Sequence, residues 1–96
     1  MYGWQVYYYP LTLPGCIIEQ TIDYRGWDLK PSKVKETANQ QECADYSAST
    51  PGSSFWTWNK TTKKCYPKTS KAGRMKPRKG IEAISGNNKC GNSGLE

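Results

Sequence analysis

Residues 54–69 read SFWTWNKTTKKCYPKT, and this stretch decides the fold. Its two ends are rich in Phe, Trp, Thr and Tyr, which favour β-strands, and the polar run 59–64 between them is typical of a turn. We therefore predict a β-hairpin with a loop of about five or six residues. Pro67 has no N–H to donate, so its amide position must point off the sheet or lie at a bulge.

A helix is predicted over 38–48, before the hairpin. Thr37 is a suitable N-cap, and Gln40 three residues later completes a capping-box pattern. On this helix Cys43 and Tyr46 are expected to face the core. The sequence Thr-Pro-Gly at 50–52 ends the helix.

Shorter extended segments complete the prediction. Strand-forming residues follow Cys16 up to Leu29, with a turn at Arg25-Gly26, and 81–85 is predicted as the last strand, followed by a turn at 86–88. One helix among short antiparallel strands indicates an α+β domain: a small antiparallel sheet of about five strands with one helix packed on a face. Trp56 and Trp58 fall on one face of their strand and are expected in the core, and Trp27 is expected to pack near them.

Four cysteines lie far apart in a chain of 96 residues that has no histidine: Cys16, Cys43, Cys65 and Cys90. A zinc site needs ligands a few residues apart, and a redox site needs Cys-x-x-Cys, so the spacing favours neither a metal nor a redox centre. Two disulfides remain, with three possible connectivities. Disulfides imply an oxidising compartment and a secreted protein. No cofactor is expected.

The chain is divided into three parts by composition: 1–15, a Tyr-rich linker or edge strand; 16–91, a compact module; and 92–96, a C-terminal tail. No apolar run approaches the ~18 residues that span a bilayer, so we expect no membrane insertion. The first residues lack the pattern of a signal peptide, which suggests a module of a longer secreted precursor.

The order of these pieces resembles the PAN/apple module over residues 16 to 90. The matching pieces are Cys16, Gly26-Trp27-Asp28-Leu29, Glu42-Cys43-Ala44-Asp45 on the helix, Phe55-Trp56-Thr57-Trp58, Cys65-Tyr66-Pro67-Lys68, and Ile84-Ser85-Gly86 before Cys90.

The resemblance implies the pairs Cys43–Cys65 and Cys16–Cys90. Ser47 and Ser53 stand where the family carries one further pair of cysteines, so that pair is missing as a unit. Within the family, the sequence around Cys43 and Phe55 is similar to that of modules in microneme adhesins from apicomplexan parasites.

The resemblance also implies a function. The expected function is that of a non-enzymatic adhesive module in a secreted host-attachment protein that is delivered by the microneme. The module is expected to bind another adhesin protein and to be monomeric in isolation. The absence of histidine and of a free cysteine also argues against an enzyme. Two alternatives stay open: a carbohydrate-binding module, in which an exposed Trp or Tyr stacks on a sugar, and a structural spacer.

The positive charge is concentrated in the second half of the chain. Residues 60–96 carry ten basic and two acidic side chains, while 1–59 carry four and six. Five of the cations lie in one Gly/Pro-rich loop: Lys71, Arg74, Lys76, Arg78 and Lys79. This loop either binds sulfated glycans of a host cell or is merely solvated. Nucleic acid would suit the charge but not a secreted protein.

Asn59-Lys60-Thr61 is an N-glycosylation sequon at the predicted hairpin tip.

Overall fold

The computed structural model describes residues 14–91. In chain order the elements are β1 (Ile18–Gln20), β2 (Asp23–Tyr24), β3 (Lys35–Glu36), α1 (Gln40–Ala48), β4 (Phe55–Asn59), β5 (Lys64–Lys68), β6 (Arg74–Met75) and β7 (Ala83–Asn87), followed by a 3-10 turn at Asn88–Cys90.

The main sheet has five antiparallel strands in the order β1-β7-β4-β5-β3, and α1 packs on one of its faces. A separate two-stranded ribbon joins β2 to β6. The predicted α+β class is therefore confirmed, and so is the arrangement of one helix on a small antiparallel sheet.

The predicted hairpin is formed by β4 and β5, which pair from Phe55 opposite Lys68 to Asn59 opposite Lys64. Pro67 lies opposite Trp56, and its carbonyl accepts a hydrogen bond from the Leu29 N–H, on the side away from β4. Because the N and O of a strand residue point to the same side, the missing N–H costs the hairpin no ladder hydrogen bond.

The helix starts two residues later than predicted, and its N-cap is Asn39. The Asn39 side chain accepts a hydrogen bond from the Glu42 N–H at 2.9 Å. The Glu42 carboxylate in turn accepts from the Ala38 N–H at 2.9 Å. The predicted N-cap, Thr37, is wrong: this residue is buried, and its hydroxyl donates to the Asn39 carbonyl.

The last strand, β7, is displaced by two residues from the predicted span of 81–85, and the predicted turn at 86–88 is wrong for Gly86 and Asn87. Both residues lie in β7, with Gly86 opposite Trp56 of β4. A Cβ at Gly86 would lie 2.6 Å from the Trp56 ring. This glycine is therefore required by the close approach of a core side chain and does not mark a turn.

The core lies between α1 and the sheet. The helix contributes Cys43 and Ala44, and the sheet contributes Trp56, Trp58 and Ile84. The two tryptophans are almost completely buried, as predicted from their shared strand face. The helix residue Tyr46 was expected in the core but lies at its border, half-buried.

Two disulfides hold these layers together, Cys43–Cys65 and Cys16–Cys90, the same pairs that the resemblance implies. The first links α1 to β5, and the second joins the two ends of the module across 74 residues. The chain-entropy model assigns each about 3 to 4.5 kcal/mol of stabilisation. Their presence indicates an extracellular or secreted protein.

A polar cluster joins Ser47 and Ser53, the two positions where the resemblance implies a further pair of cysteines. The hydroxyl oxygens of Ser47 and Ser53 lie 2.5 Å apart. The Asn88 amide donates to the carbonyls of both serines, at 3.2 and 2.6 Å. Ser47 is completely buried, and its hydroxyl lies within hydrogen-bond distance of the Phe55 carbonyl and of Asn88 Oδ1, so its polar atoms are satisfied.

The contact between these hydroxyls predicts that the double variant Ser47→Cys/Ser53→Cys forms a third disulfide. The matched control is Ser47→Ala/Ser53→Ala, which loses the same hydrogen bonds without gaining a cross-link. Since the new bridge closes only a short loop, we expect it to exceed the control by about 2 kcal/mol in free energy of unfolding.

Urea unfolding measures that difference, and non-reducing peptide mapping identifies the bridges. Free thiols at positions 47 and 53, or exchange with Cys43 or Cys65, would contradict the prediction.

Candidate functional site

The sheet face opposite the helix carries a polar groove of 460 Å³, which we call the outer groove. It arises from the alternation of side chains along β4 and β5: where Trp56 and Trp58 face the helix, Thr57 and Asn59 face the groove. The groove is lined by Asp23, Arg25, Gly26, Asp28, Thr57, Asn59, Tyr66, Lys68, Ile81 and Ala83.

The most unusual side chain of the outer groove is Lys68, which is only 5% exposed. Lysine is almost never buried without a partner. Here the Nζ lies 2.7 Å from Asp28 Oδ1 and 5.4 Å from the centre of the Tyr66 ring. Asp28 is held in place because its backbone forms an isolated bridge with Lys68.

Several polar groups of the groove have hydrogen-bonding capacity to spare. Within residues 14–91, the Lys68 ammonium has Asp28 as its one hydrogen-bonding partner, so two of its three N–H groups are left. The Asp23 carboxylate and the Tyr66 hydroxyl make no hydrogen bond to the described part of the chain. The groove therefore offers both donors and acceptors to a ligand.

The floor of the groove is rigid by contrast. The Thr57 hydroxyl accepts a hydrogen bond from the Tyr24 N–H at 3.1 Å and lies 2.7 Å from the Ser85 hydroxyl. Ser85 also donates to the Ile22 carbonyl at 2.7 Å. These contacts tie β2 to the centre of the sheet, so the groove is largely formed before a ligand arrives.

Trp27 stands beside the outer groove, between the lining residues Gly26 and Asp28. The sequence placed it with the core tryptophans, and this expectation is wrong: its exposed fraction is 56%. Its backbone has φ +56°, a left-handed conformation that bulky residues rarely adopt. The Trp27 carbonyl accepts hydrogen bonds from both the N–H and the hydroxyl of Thr69, at 2.8 and 3.3 Å.

The basic loop is divided by the structure. Arg74 lies in β6, and its guanidinium donates to Glu19 through Nε at 2.6 Å and through Nη2 at 2.5 Å. The other four cations of the predicted set are exposed: Lys71, Lys76, Arg78 and Lys79. Arg74 thus anchors the loop, and the remaining cations stay available to solvent.

Glu19 forms the centre of this anchor. The hydrogen bond from Arg74, followed by that from the Tyr24 hydroxyl at 2.6 Å, holds the pKa of Glu19 below its usual range. Burial, and secondarily the hydrogen bond to Glu19, raises the pKa of Tyr24 above its usual range. Glu19 therefore stays ionised and Tyr24 neutral at physiological pH.

The sequon residue Asn59 ends β4 and lines the outer groove. Its side-chain oxygen accepts from the N–H groups of Thr61 and Thr62, at 2.9 and 3.1 Å. This leaves the amide nitrogen, the atom that glycosylation modifies. A glycan at Asn59 would stand at the groove, so glycosylation here and ligand binding in the groove are alternatives.

Within residues 14–91 there is no cluster of acidic or cysteine side chains placed to hold a metal ion. The same part of the chain contains no helix with the length and apolar character to cross a membrane.

Comparison with family models, with curated proteins and with solved structures gave no match for this chain.

The lowered pKa of Glu19 predicts how stability depends on pH. A carboxyl whose pKa is lower in the folded state stabilises the fold above its ordinary value of 4.5, and that contribution is lost as the pH falls through the lowered pKa. Glu19→Gln should therefore unfold more easily than the wild type at pH 7. Between pH 5 and about pH 3, its stability should fall less steeply.

Urea unfolding at several pH values measures this slope. Glu36→Gln, at an exposed position of β3, is the matched control and should keep the wild-type slope. An unchanged slope in Glu19→Gln would show that the anchor contributes nothing to stability.

Proposed function

We propose that this chain is a non-enzymatic adhesive module of the PAN/apple type, secreted as part of a host-attachment protein. The pairing of the cysteines supports this assignment, and so does the contact between Ser47 and Ser53, where the family has a further disulfide. Delivery by the microneme and binding to another adhesin protein follow from the same resemblance and belong to the proposal.

Besides the adhesin partner, the outer groove favours a neutral carbohydrate as a ligand of the module. The observation that carries this choice is the buried ammonium of Lys68, which has N–H groups to spare inside a concave polar site. The volume of 460 Å³ lies within the range of small-molecule sites. An adhesin surface, by contrast, needs roughly 800 Å² on each partner and does not require a concave site.

The mixture of charges in the groove supports a neutral ligand. Asp23 and Asp28 carry negative charge, and Arg25 and Lys68 carry positive charge. A sulfate or phosphate group would meet one of the two carboxylates as well as the lysine, and like charges at short range repel. A ligand with many hydroxyl groups meets no such penalty.

Sugar hydroxyls match this lining because each can donate and accept a hydrogen bond. In the proposed mode, Lys68 donates to a sugar oxygen while the carboxylates of Asp23 and Asp28 accept from hydroxyl groups. Tyr66, which is half-buried, offers its hydroxyl to the same ligand. A single shallow site of this kind binds weakly, and tandem repetition of modules in an adhesin would multiply the affinity.

Asp23→Asn tests the groove. The Asp23 carboxylate makes no hydrogen bond within the described residues, so the substitution removes a ligand contact without removing a hydrogen bond of the fold. We expect the wild type to bind at least one member of a panel of methyl glycosides of glucose, galactose, mannose and N-acetylglucosamine. Asp23→Asn should weaken that binding about tenfold, which corresponds to about 1.4 kcal/mol. Titration followed by NMR chemical shifts measures the affinity and places the ligand.

The matched control is Asp45→Asn, the same chemical change on α1, across the sheet from the groove. It should leave the affinity unchanged. If no glycoside binds, or if the shifts lie outside the groove in wild-type protein, the carbohydrate proposal is wrong.

Sulfated glycans are a second candidate ligand, favoured by the exposed basic loop. Lys76, Arg78 and Lys79 are exposed, and none forms an ion pair within residues 14–91. These three side chains are not among the lining residues of the groove, although the loop that carries them pairs with Asp23 through Met75. They would bind through charge alone, with a steep dependence on salt.

Retention on heparin tests this candidate. The triple variant Lys76→Gln/Arg78→Gln/Lys79→Gln should elute at a clearly lower salt concentration than the wild type. The matched control removes the same charge elsewhere, as Lys30→Gln/Lys33→Gln/Lys35→Gln. Equal losses in the two variants would mean that heparin responds to net charge and that the loop is merely solvated.

A further inference from the structure

We propose that Trp27 forms a second sugar subsite beside the outer groove, so that the module prefers an oligosaccharide to a single sugar. This inference rests on the proposed carbohydrate function of the groove. It adds a residue that lies outside the groove lining and that determines the length of the preferred ligand.

The tryptophans of the described residues differ in their exposure to solvent. Trp56 and Trp58 have exposed fractions of 0% and 4%, whereas that of Trp27 is 56%. An indole can bury 150 to 250 Å² on contact, which makes an exposed one a strong site for a ligand with an apolar face. The C–H face of a pyranose ring has this character, while its hydroxyl groups suit the polar groove next to it.

The backbone of Trp27 departs from regular strand geometry. In a regular strand, the residue before Asp28 would turn to the helix side of the sheet, opposite to the groove. The left-handed φ of +56° removes Trp27 from this alternation. Such a conformation costs about 1 to 2 kcal/mol for a residue with a side chain, and strain of this kind concentrates at functional sites.

Hydrogen bonds on both sides hold the backbone of Trp27 in this conformation. The Trp27 carbonyl accepts two hydrogen bonds from Thr69, and the Leu29 N–H donates to the Pro67 carbonyl. The backbone on both sides of the exposed indole is therefore anchored along the end of β5. An anchored backbone restricts the indole to rotation about its own side-chain bonds, so less conformational entropy is lost when a ligand stacks on it, which favours binding.

Trp27 lies directly beside the outer groove in the chain. Its two neighbours in the chain, Gly26 and Asp28, both line the groove, and consecutive Cα atoms are about 3.8 Å apart. The backbone of Trp27 thus lies at the rim of the groove that Lys68 lines. A sugar in the groove would extend toward Trp27 only through a second, linked unit.

The test compares one sugar with two. The probes are the four methyl glycosides named above and the disaccharides maltose, lactose, mannobiose and chitobiose. For the sugar that the groove accepts, we expect the disaccharide to bind about five to ten times more tightly than the methyl glycoside. Trp27→Ala should abolish this gain and change the affinity for the methyl glycoside less than about twofold.

Trp27→Tyr is the conservative control, since a phenol ring can also stack, and it should retain most of the gain. A second measurement is independent of affinity. The indole N–H signal of Trp27, assigned by its absence from the spectrum of Trp27→Tyr, should shift on addition of the disaccharide and stay in place with the methyl glycoside.

The outcomes separate the two proposals. If the methyl glycoside binds and is weakened by Asp23→Asn, while Trp27→Ala affects both ligands equally or neither, the groove is a sugar site and the second subsite is wrong. If the wild type binds none of the eight probes, the carbohydrate function fails and the subsite fails with it.

Discussion

The contact of α1 with the centre of the sheet is the constraint on which the rest of this molecule depends. The Cys43–Cys65 disulfide fixes the helix to β5, and the Trp56 ring fills the adjacent space so closely that only glycine fits at position 86. Aliphatic side chains are few in this chain, so a cross-link and two large rings supply most of its core. Because the bridge holds Cys65 on the helix side, it also fixes which side chains face outward.

The outer groove is a direct consequence of that register. A slip of one residue in β5 would bring Tyr66 and Lys68 to the helix side and send Cys65 outward, which the disulfide forbids. The polar face is therefore as strongly specified as the core. The buried Lys68 fits this picture, since its burial is tolerated only with Asp28 at 2.7 Å, and the segment that carries Asp28 is itself paired with β5.

The sequence predicted those features that depend on neighbouring residues or on the alternation of side chains along a single strand. The hairpin, the helix and the burial of Trp56 and Trp58 follow from local composition and alternation. The helix start was misplaced because Thr37 and Asn39 are both good N-caps, and only the tertiary hydrogen bonds of Thr37 decide between them. The exposure of Trp27 depends on its contact with Thr69, 42 residues away, which no local pattern encodes.

The structure also separates two surfaces that composition alone merges into one positive charge of +6. The anchor between Arg74 and Glu19 holds the basic loop against β1 and β2 and neutralises one of its five cations. The groove has its own balance of carboxylates and cations, and none of the exposed cations of the loop is among its lining residues. In the proposed mode, a ligand of the groove would be selected by hydrogen bonding and ring contact, while a ligand of the loop would be selected by charge.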